Sequence, residues 1–373
     1  MLAMRANVAM LGSSLRGRGD ENNKRCIVDD LVVRVGISTT MSRMDTTLME
    51  TLESIFSQRW REIDLECVDA VHVHVFAGEE AYPIKKALKR GMTVAEKASR
   101  SVGVSAAVHA SNLHFEHVPR EWYSSAKLLG LLRVSGTSEN VTTARDDARE
   151  PLLVIADDDM VYDSLWLDTL LMHHLRNPND AVGFRGWRIR KGMSYGIASP
   201  PYEGVWGSFL AVETYVVTGE KIWRPYRVGV ATGGCGLALK PSFFTQGVFA
   251  PPPDAPNGIM LVDDIWINGN LAMGKIARRV VPIRKDSRHL GQRASVIDPL
   301  LKSVAGTPSR SLLNVRAVKF FAPHWERDIL YDTSEGPPRT WRRFYAPRVA
   351  FSKLLLWLHS FRFIRRIVPD FFF

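Results

Sequence analysis

Cysteine is scarce in this chain: Cys26, Cys67 and Cys235 are the three in 373 residues, far apart and without a Cys-x-x-Cys pair. That spacing excludes a disulfide framework and a zinc-ribbon pattern, and it leaves the compartment open. Long apolar runs are missing too. No stretch reaches the roughly 18 apolar residues needed to span a bilayer, so no transmembrane helix is expected. No internal repeat is visible, and the only biased tract is the proline-rich Ala250–Gly258, which reads as a loop. Acidic residues are outnumbered, 39 against 49 Lys and Arg, and none occurs between Arg339 and Arg366. The net charge of +10 asks for an anionic partner: a nucleotide, a nucleic acid or an acidic membrane surface.

What is present is a globular composition, 46% hydrophobic and 24% charged, sufficient for one large domain or two ordinary ones. Residues 1–28 read as a poorly ordered extension, either a weak targeting segment around Arg5 or simply a disordered lead, and we favour the lead. Asn140-Val141-Thr142 fits a glycosylation sequon, too common a triplet to settle secretion. The organised chain begins with "LVVRVGISTT", Leu31–Thr40, a β-branched strand. "MDTTLMETLESIFSQRW" follows with Leu48, Leu52, Ile55 and Phe56 at helical spacing. "CVDAVHVHVFAG" then alternates Val71, Val73 and Val75 against His72 and His74, which is strand periodicity. A helix from about Ser124, the strand "LLVI", a helix from about Ser164 and a strand in "AVGFRGW" continue the pattern. A parallel sheet wrapped by helices is the natural reading.

Leu152–Ile155 runs directly into Asp157, Asp158 and Asp159. Three adjacent carboxylates repel one another unless a cation or backbone N–H donors compensate them. They stand at a strand's carboxyl end, where open α/β sheets place ligands; an Asp-rich turn capping the next helix is the plainer alternative. A second pair, Asp263-Asp264, opens "DDIWINGNLAMG", where capping and the helix dipole favour carboxylates in any case. Asp264 and Asn268 lie four apart and share a helix face that is expected to point into a cleft. Just upstream, Gly233, Gly234 and Gly236 allow close backbone approach in a tight turn. Together these features suggest a pocket for a phosphorylated ligand and a divalent cation.

Between Trp187 and Tyr226, eight of forty residues are aromatic, twice the chain's 10% average, among them Tyr195, Tyr202, Trp206 and Trp223. Such faces stack on sugar rings or fill cores. "FSKLLLWLHSFRFIRRIV", in the basic segment up to Arg366, suits an anionic membrane surface, a docking partner, or packing as a terminal helix.

Four stretches resemble the nucleotide-sugar-dependent glycosyltransferases of the GT-A fold, in the branch related to glycosyltransferase family 2: "VGISTTMSRMDTTLMETLESIFSQ", "WYSSAKLLGLL", "IADDDMVYD" and "VDDIWINGNLAMGK". They cover roughly residues 30 to 290 in the family's order. The resemblance implies a Rossmann-like, mainly parallel sheet with an aromatic-rich insertion on the acceptor side. It implies a transferase domain over 29–295 and a C-terminal extension over 296–373. It further implies a UDP- or GDP-sugar donor, a glycan, lipid or protein acceptor, and Mn²⁺ or Mg²⁺. Asp159 and Asp157 would hold the metal, with Asp158 close to the ribose or the metal. Asp264 would be the base of an inverting reaction, with Asp263 as understudy, since family members often carry Glu-Asp here. Arg43 and Lys127 are candidates for the nucleotide or diphosphate, or else solvated surface cations. His289 and His324 are candidates for a third metal ligand, or else structural or surface histidines. A nucleic-acid partner is disfavoured, and a secretory-pathway or peripheral-membrane location fits the activity. Two other classes stay open: a metal-dependent phosphoryl-transfer enzyme or nuclease, and a non-catalytic sugar- or membrane-binding protein on an inactive transferase scaffold.

Overall fold

The computed structural model describes residues 31–61, 63, 68–78, 82–101, 109–136, 150–190, 216–220, 222–283 and 310–331. Along the chain these form β1 (Leu31–Thr39), α1 (Thr47–Phe56), β2 (Val68–Ala77), α2 (Ile84–Ser101), β3 (Leu113–His117), α3 (Ala126–Val134), β4 (Leu152–Asp157), α4 (Trp166–Arg176), β5 (Ala181–Gly183), β6 (Arg185–Trp187), β7 (Ile189–Arg190), β8 (Val216–Thr218), β9 (Tyr226–Arg227), β10 (Val230–Ala231), β11 (Leu237–Leu239), α5 (Asp263–Met273), β12 (Arg278–Val280), α6 (Arg310–Phe320) and β13 (Leu330–Tyr331).

The main sheet has the order β3-β2-β1-β4-β11-β5-β12-β9. β3, β2, β1 and β4 run parallel, as the alternation of strand and helix predicts. β11 enters between β4 and β5 antiparallel to both, β12 returns parallel to β5, and β9 closes the edge antiparallel. This is an α/β fold with a Rossmann-like, mainly parallel sheet between helical layers. Val33, Val35, Ile37, Val71, Val73, Val75 and Val154 pack on one face with α1, α2 and α4; Leu153 and Ile155 pack on the other with α3, α5 and α6. The β1–α3 contact is tight because residue 36 is glycine: a Cβ there would stand 2.3 Å from the Lys127 carbonyl oxygen. Among the described residues no helix is long and apolar enough to cross a membrane.

Several expectations need refinement. "AVGFRGW" is two strands, β5 in the main sheet and β6 in a three-stranded sheet with β8 and β10, parted at Phe184. α2 and β3 fill a region where the periodicity had given no element. The boundary at 295 falls outside the described residues; within 310–331, Leu313, Ala317, Val318, Phe321, Trp325 and Ile329 are buried. Phe321 is 1% exposed against Trp266 and Gly269 of α5, and β13 pairs with β7.

Buried and half-buried histidines are expected to make the fold acid-sensitive. Burial and the neighbouring Arg176 hold His173 down to about 4, against a backbone bond to Pro282, and burial and Lys240 do the same for His174. Burial also lowers His72 and His114, which share a hydrogen bond of 3.2 Å on the β2–β3 face and crowd His74. A histidine whose folded value is depressed binds fewer protons folded than unfolded. For His173 and His174 the stability contribution is therefore whole above the unfolded value of about 6.5 and is lost as pH falls through it toward 4, by up to about 1.4 kcal/mol per pH unit for each. Unfolding free energies at pH 7.5, 6 and 5 should fall accordingly, and His174→Leu should flatten the curve; an unchanged slope would assign the acid sensitivity elsewhere.

Candidate functional site

β1 and β4 are neighbours in register, Ser38 opposite Asp157, so the turn after β1 and the aspartate triplet after β4 lie side by side at the carboxyl end of the sheet. Thr39 Oγ1 donates to Asp158 Oδ2 at 2.7 Å, and Arg43 Nη1 donates to Asp158 Oδ1 and stands 3.5 Å from Asp159 Oδ2. All three charged side chains are buried, Asp158 at 2% exposure. Burial raises Asp158 to about 6, with Arg43 and Thr39 pulling against that rise. Arg43 is thus an internal cation, and its surface alternative is excluded.

Lys127, in the first turn of α3, joins the two acidic clusters. Its Nζ lies 2.5 Å from Asp157 Oδ1 and 2.7 Å from Asp263 Oδ2, with the side chain 3% exposed. Burial by itself would discharge the ammonium; Asp157, Asp263 and Asp264 outweigh it and hold the group above its ordinary value. A solvated surface role is excluded for Lys127 as well. Asp264 is half-buried at the start of α5 and accepts a hydrogen bond from the Gly233 N–H at 2.9 Å. Burial, then Asp263, push it up to about 7, while Lys127 and Gly233 oppose.

Asn268 departs from expectation. It is fully buried, accepts from the Ala231 N–H at 2.8 Å and donates to the Ala231 carbonyl at 2.7 Å, so it pins β10 to α5 instead of facing a cleft. The glycine turn between β10 and β11 is squeezed between the two acidic clusters. A Cβ at residue 234 would stand 2.8 Å from Asp157 Oδ2, and Gly236 takes φ +96° beside the Trp166 ring.

No protein-family model matches this chain. Over 134 residues it is 30% identical to human 1-phosphatidylinositol 4,5-bisphosphate phosphodiesterase eta-2, a match covering 35% of this chain and 8% of that protein. The chain therefore spans only a small part of that relative. A crystal structure of S. aureus TarS residues 1–349 aligns over 64% of this chain and 56% of its own, at 8% identity and a TM-score of 0.33. Neither likeness fixes a family.

Of the residues read as functional, Arg43, Lys127, Asp157, Asp158, Asp159, Asp263 and Asp264 come together at this site. His324 does not; it sits exposed on a turn after α6. His289, the aromatics Tyr195, Tyr202 and Trp206, residues 1–28 and the basic segment 339–366 lie outside the described residues. Trp187 is half-buried beneath Arg185, whose guanidinium lies 5.5 Å from the ring, and Trp223 is exposed.

Sequence reasoning missed the polar residues in α1 and just beyond its end that hold the loop behind the triplet. Thr51 donates to the Met160 carbonyl, Ser54 accepts from the Tyr162 N–H, and Gln58 bonds both the Asp163 carbonyl and the Leu167 N–H. For Thr51 and Ser54 the signal was legible: two polar side chains on the apolar stripe of an amphipathic helix.

Proposed function

We propose that the protein transfers a sugar from a UDP- or GDP-sugar to a hydroxyl acceptor on a glycan, lipid or protein, with inversion and with the help of Mn²⁺ or Mg²⁺. The observation that carries this reading is the Lys127 bridge, which brings a strand-end carboxylate triplet and a helix-start carboxylate pair into one site. The sequence resemblance supplies the reaction class.

The residues suit a hard divalent cation. Five carboxylates, Asp157, Asp158, Asp159, Asp263 and Asp264, face two cations, Arg43 and Lys127, so the site has spare negative charge. Among the described residues no three His, Cys, Asp or Glu form a closed metal cage. An ion such as Mg²⁺ can be held by one or two carboxylates and completed by water and substrate phosphates. Asp157 and Asp159 would hold it, and once bound it would neutralise the departing nucleoside diphosphate.

The protein's own groups divide the remaining work. Asp158, tied to Thr39 and Arg43, fixes the triplet's loop. Asp263, paired with Lys127, keeps the ammonium in place. Asp264, half-buried and raised toward neutrality, takes the proton from the acceptor hydroxyl as its oxygen attacks the anomeric carbon.

Thermal shift against UDP, GDP and CMP, with and without Mn²⁺, tests the donor, because a ligand that binds only the folded state raises its apparent stability. A metal-dependent shift with UDP or GDP that disappears in Asp159→Ala is expected. Cleavage of a phosphodiester in Mg²⁺ without any nucleotide shift would replace this reading with phosphoryl transfer. Saturable donor binding without turnover on any acceptor would replace it with a binding protein.

A further inference from the structure

We infer that Tyr162 is a positioning residue: with Trp166 it fastens the Gly233–Gly236 turn between Asp157 and Asp264, and so sets where the Asp264 carboxylate sits. The part concerning Asp264 rests on the transferase reading above; the part concerning the turn does not.

Tyr162 is 4% exposed, so its hydroxyl needs partners inside the protein. It accepts from the Asp157 N–H at 2.9 Å and donates to the Gly234 carbonyl at 3.1 Å, closer than the Asp157 carbonyl at 3.4 Å. The ring lies 4.1 Å from that of Trp166, whose Nε1 donates to the Cys235 carbonyl at 2.8 Å. Two successive carbonyls of the turn are thus tied to one aromatic pair. The preceding residue, Gly233, gives its N–H to Asp264. Tyr162 therefore stands between the backbone that carries the donor-side carboxylate and the backbone that binds the acceptor-side one. Core packing alone would be served by phenylalanine. The hydroxyl adds only the two bonds to Asp157 and Gly234, and those are bonds to the site.

Tyr162→Phe keeps the ring and removes both bonds. Two readouts separate positioning from mere packing. The first needs no activity: iodoacetamide labelling of Cys235, followed by peptide mass at pH 7.5. Cys235 lies on the turn, half-buried, with burial raising its thiol to about 11. A turn released by the variant is expected to label several-fold faster. The second is the pH–rate profile of transfer. Loosening the Gly233 bond removes a donor that favours the charged carboxylate, so the acidic limb should move to higher pH. The kcat should fall roughly 10–100-fold, with the donor KM nearly unchanged. Trp166→Phe, which removes the other tie, is expected to act in the same direction and guards against an unfolded first variant.

Unchanged Cys235 labelling in both folded variants overturns the proposal. Faster labelling with an unmoved profile overturns its Asp264 part. If the wild type turns over no nucleotide sugar, the transferase reading fails, and Cys235 labelling alone decides whether Tyr162 holds the turn.

Discussion

Replacing Lys127 by methionine is expected to lower stability by about 3–5 kcal/mol at pH 7.5, the range for removing one partner of a buried ion pair. Methionine keeps the length of the side chain and its packing in α3, so the loss isolates the charge. Asp263 bears most of it, because that carboxylate is 6% exposed, whereas Asp157 at 36% can rehydrate. The pH dependence identifies the cause. Without its cation, burial favours the protonated form of Asp263. The folded variant then keeps a proton that the unfolded chain releases, so the deficit should shrink as pH falls from 7.5 toward 5. Urea unfolding of both proteins at the two pH values measures this. A variant within experimental error of the wild type would show that the bridge between the acidic clusters is dispensable.

Asp264→Asn is expected to reduce turnover by about 10²–10⁴-fold, the usual contribution of a general base, while the thermal midpoint holds or rises. Burial and Asp263 already oppose the charge at this position, so removing it relieves the fold. Donor binding should survive, since the carboxylates proposed to hold the donor belong to the triplet. The wild-type rate should climb with pH through about 7 as Asp264 loses its proton, and this limb should vanish in the variant. Persistence of the limb in Asp264→Asn would assign the base to another group.

Much of the parallel core was legible from period alone. β1 ends at Thr39, one residue short of the expected strand, and Val71, Val73 and Val75 point into the core opposite His72 and His74. α2 escaped notice because its buried stripe is Ala87, Gly91, Ala95 and Ala98, small residues that barely register as apolar, beneath a surface of lysine and arginine. β3 escaped because "LHFEH" interleaves histidine and glutamate, which the histidines of β2 answer across the strand pair. At the site, the carboxylates announced themselves by adjacency. The depth of the cations did not: Arg43 meets Asp158 across 115 residues, and a lone basic residue carries no mark of such a partner. Asn268 misled for a related reason. Its helix face was read correctly as shared with Asp264, but the strand that fills that face, β10, is two residues long and gave no signal.

The antiparallel β11 at the centre of the sheet has a kinetic consequence. β4 and β5 both precede it in the chain, yet neither has its final neighbour on that side until Leu237–Leu239 arrives. Pairings of such long sequence separation raise contact order and slow folding. Until they form, two strands of the future interior present open edges, the surfaces through which chains aggregate. The middle of this sheet therefore cannot close until β11 is in place, and a chain that has not yet placed it leaves both edges exposed.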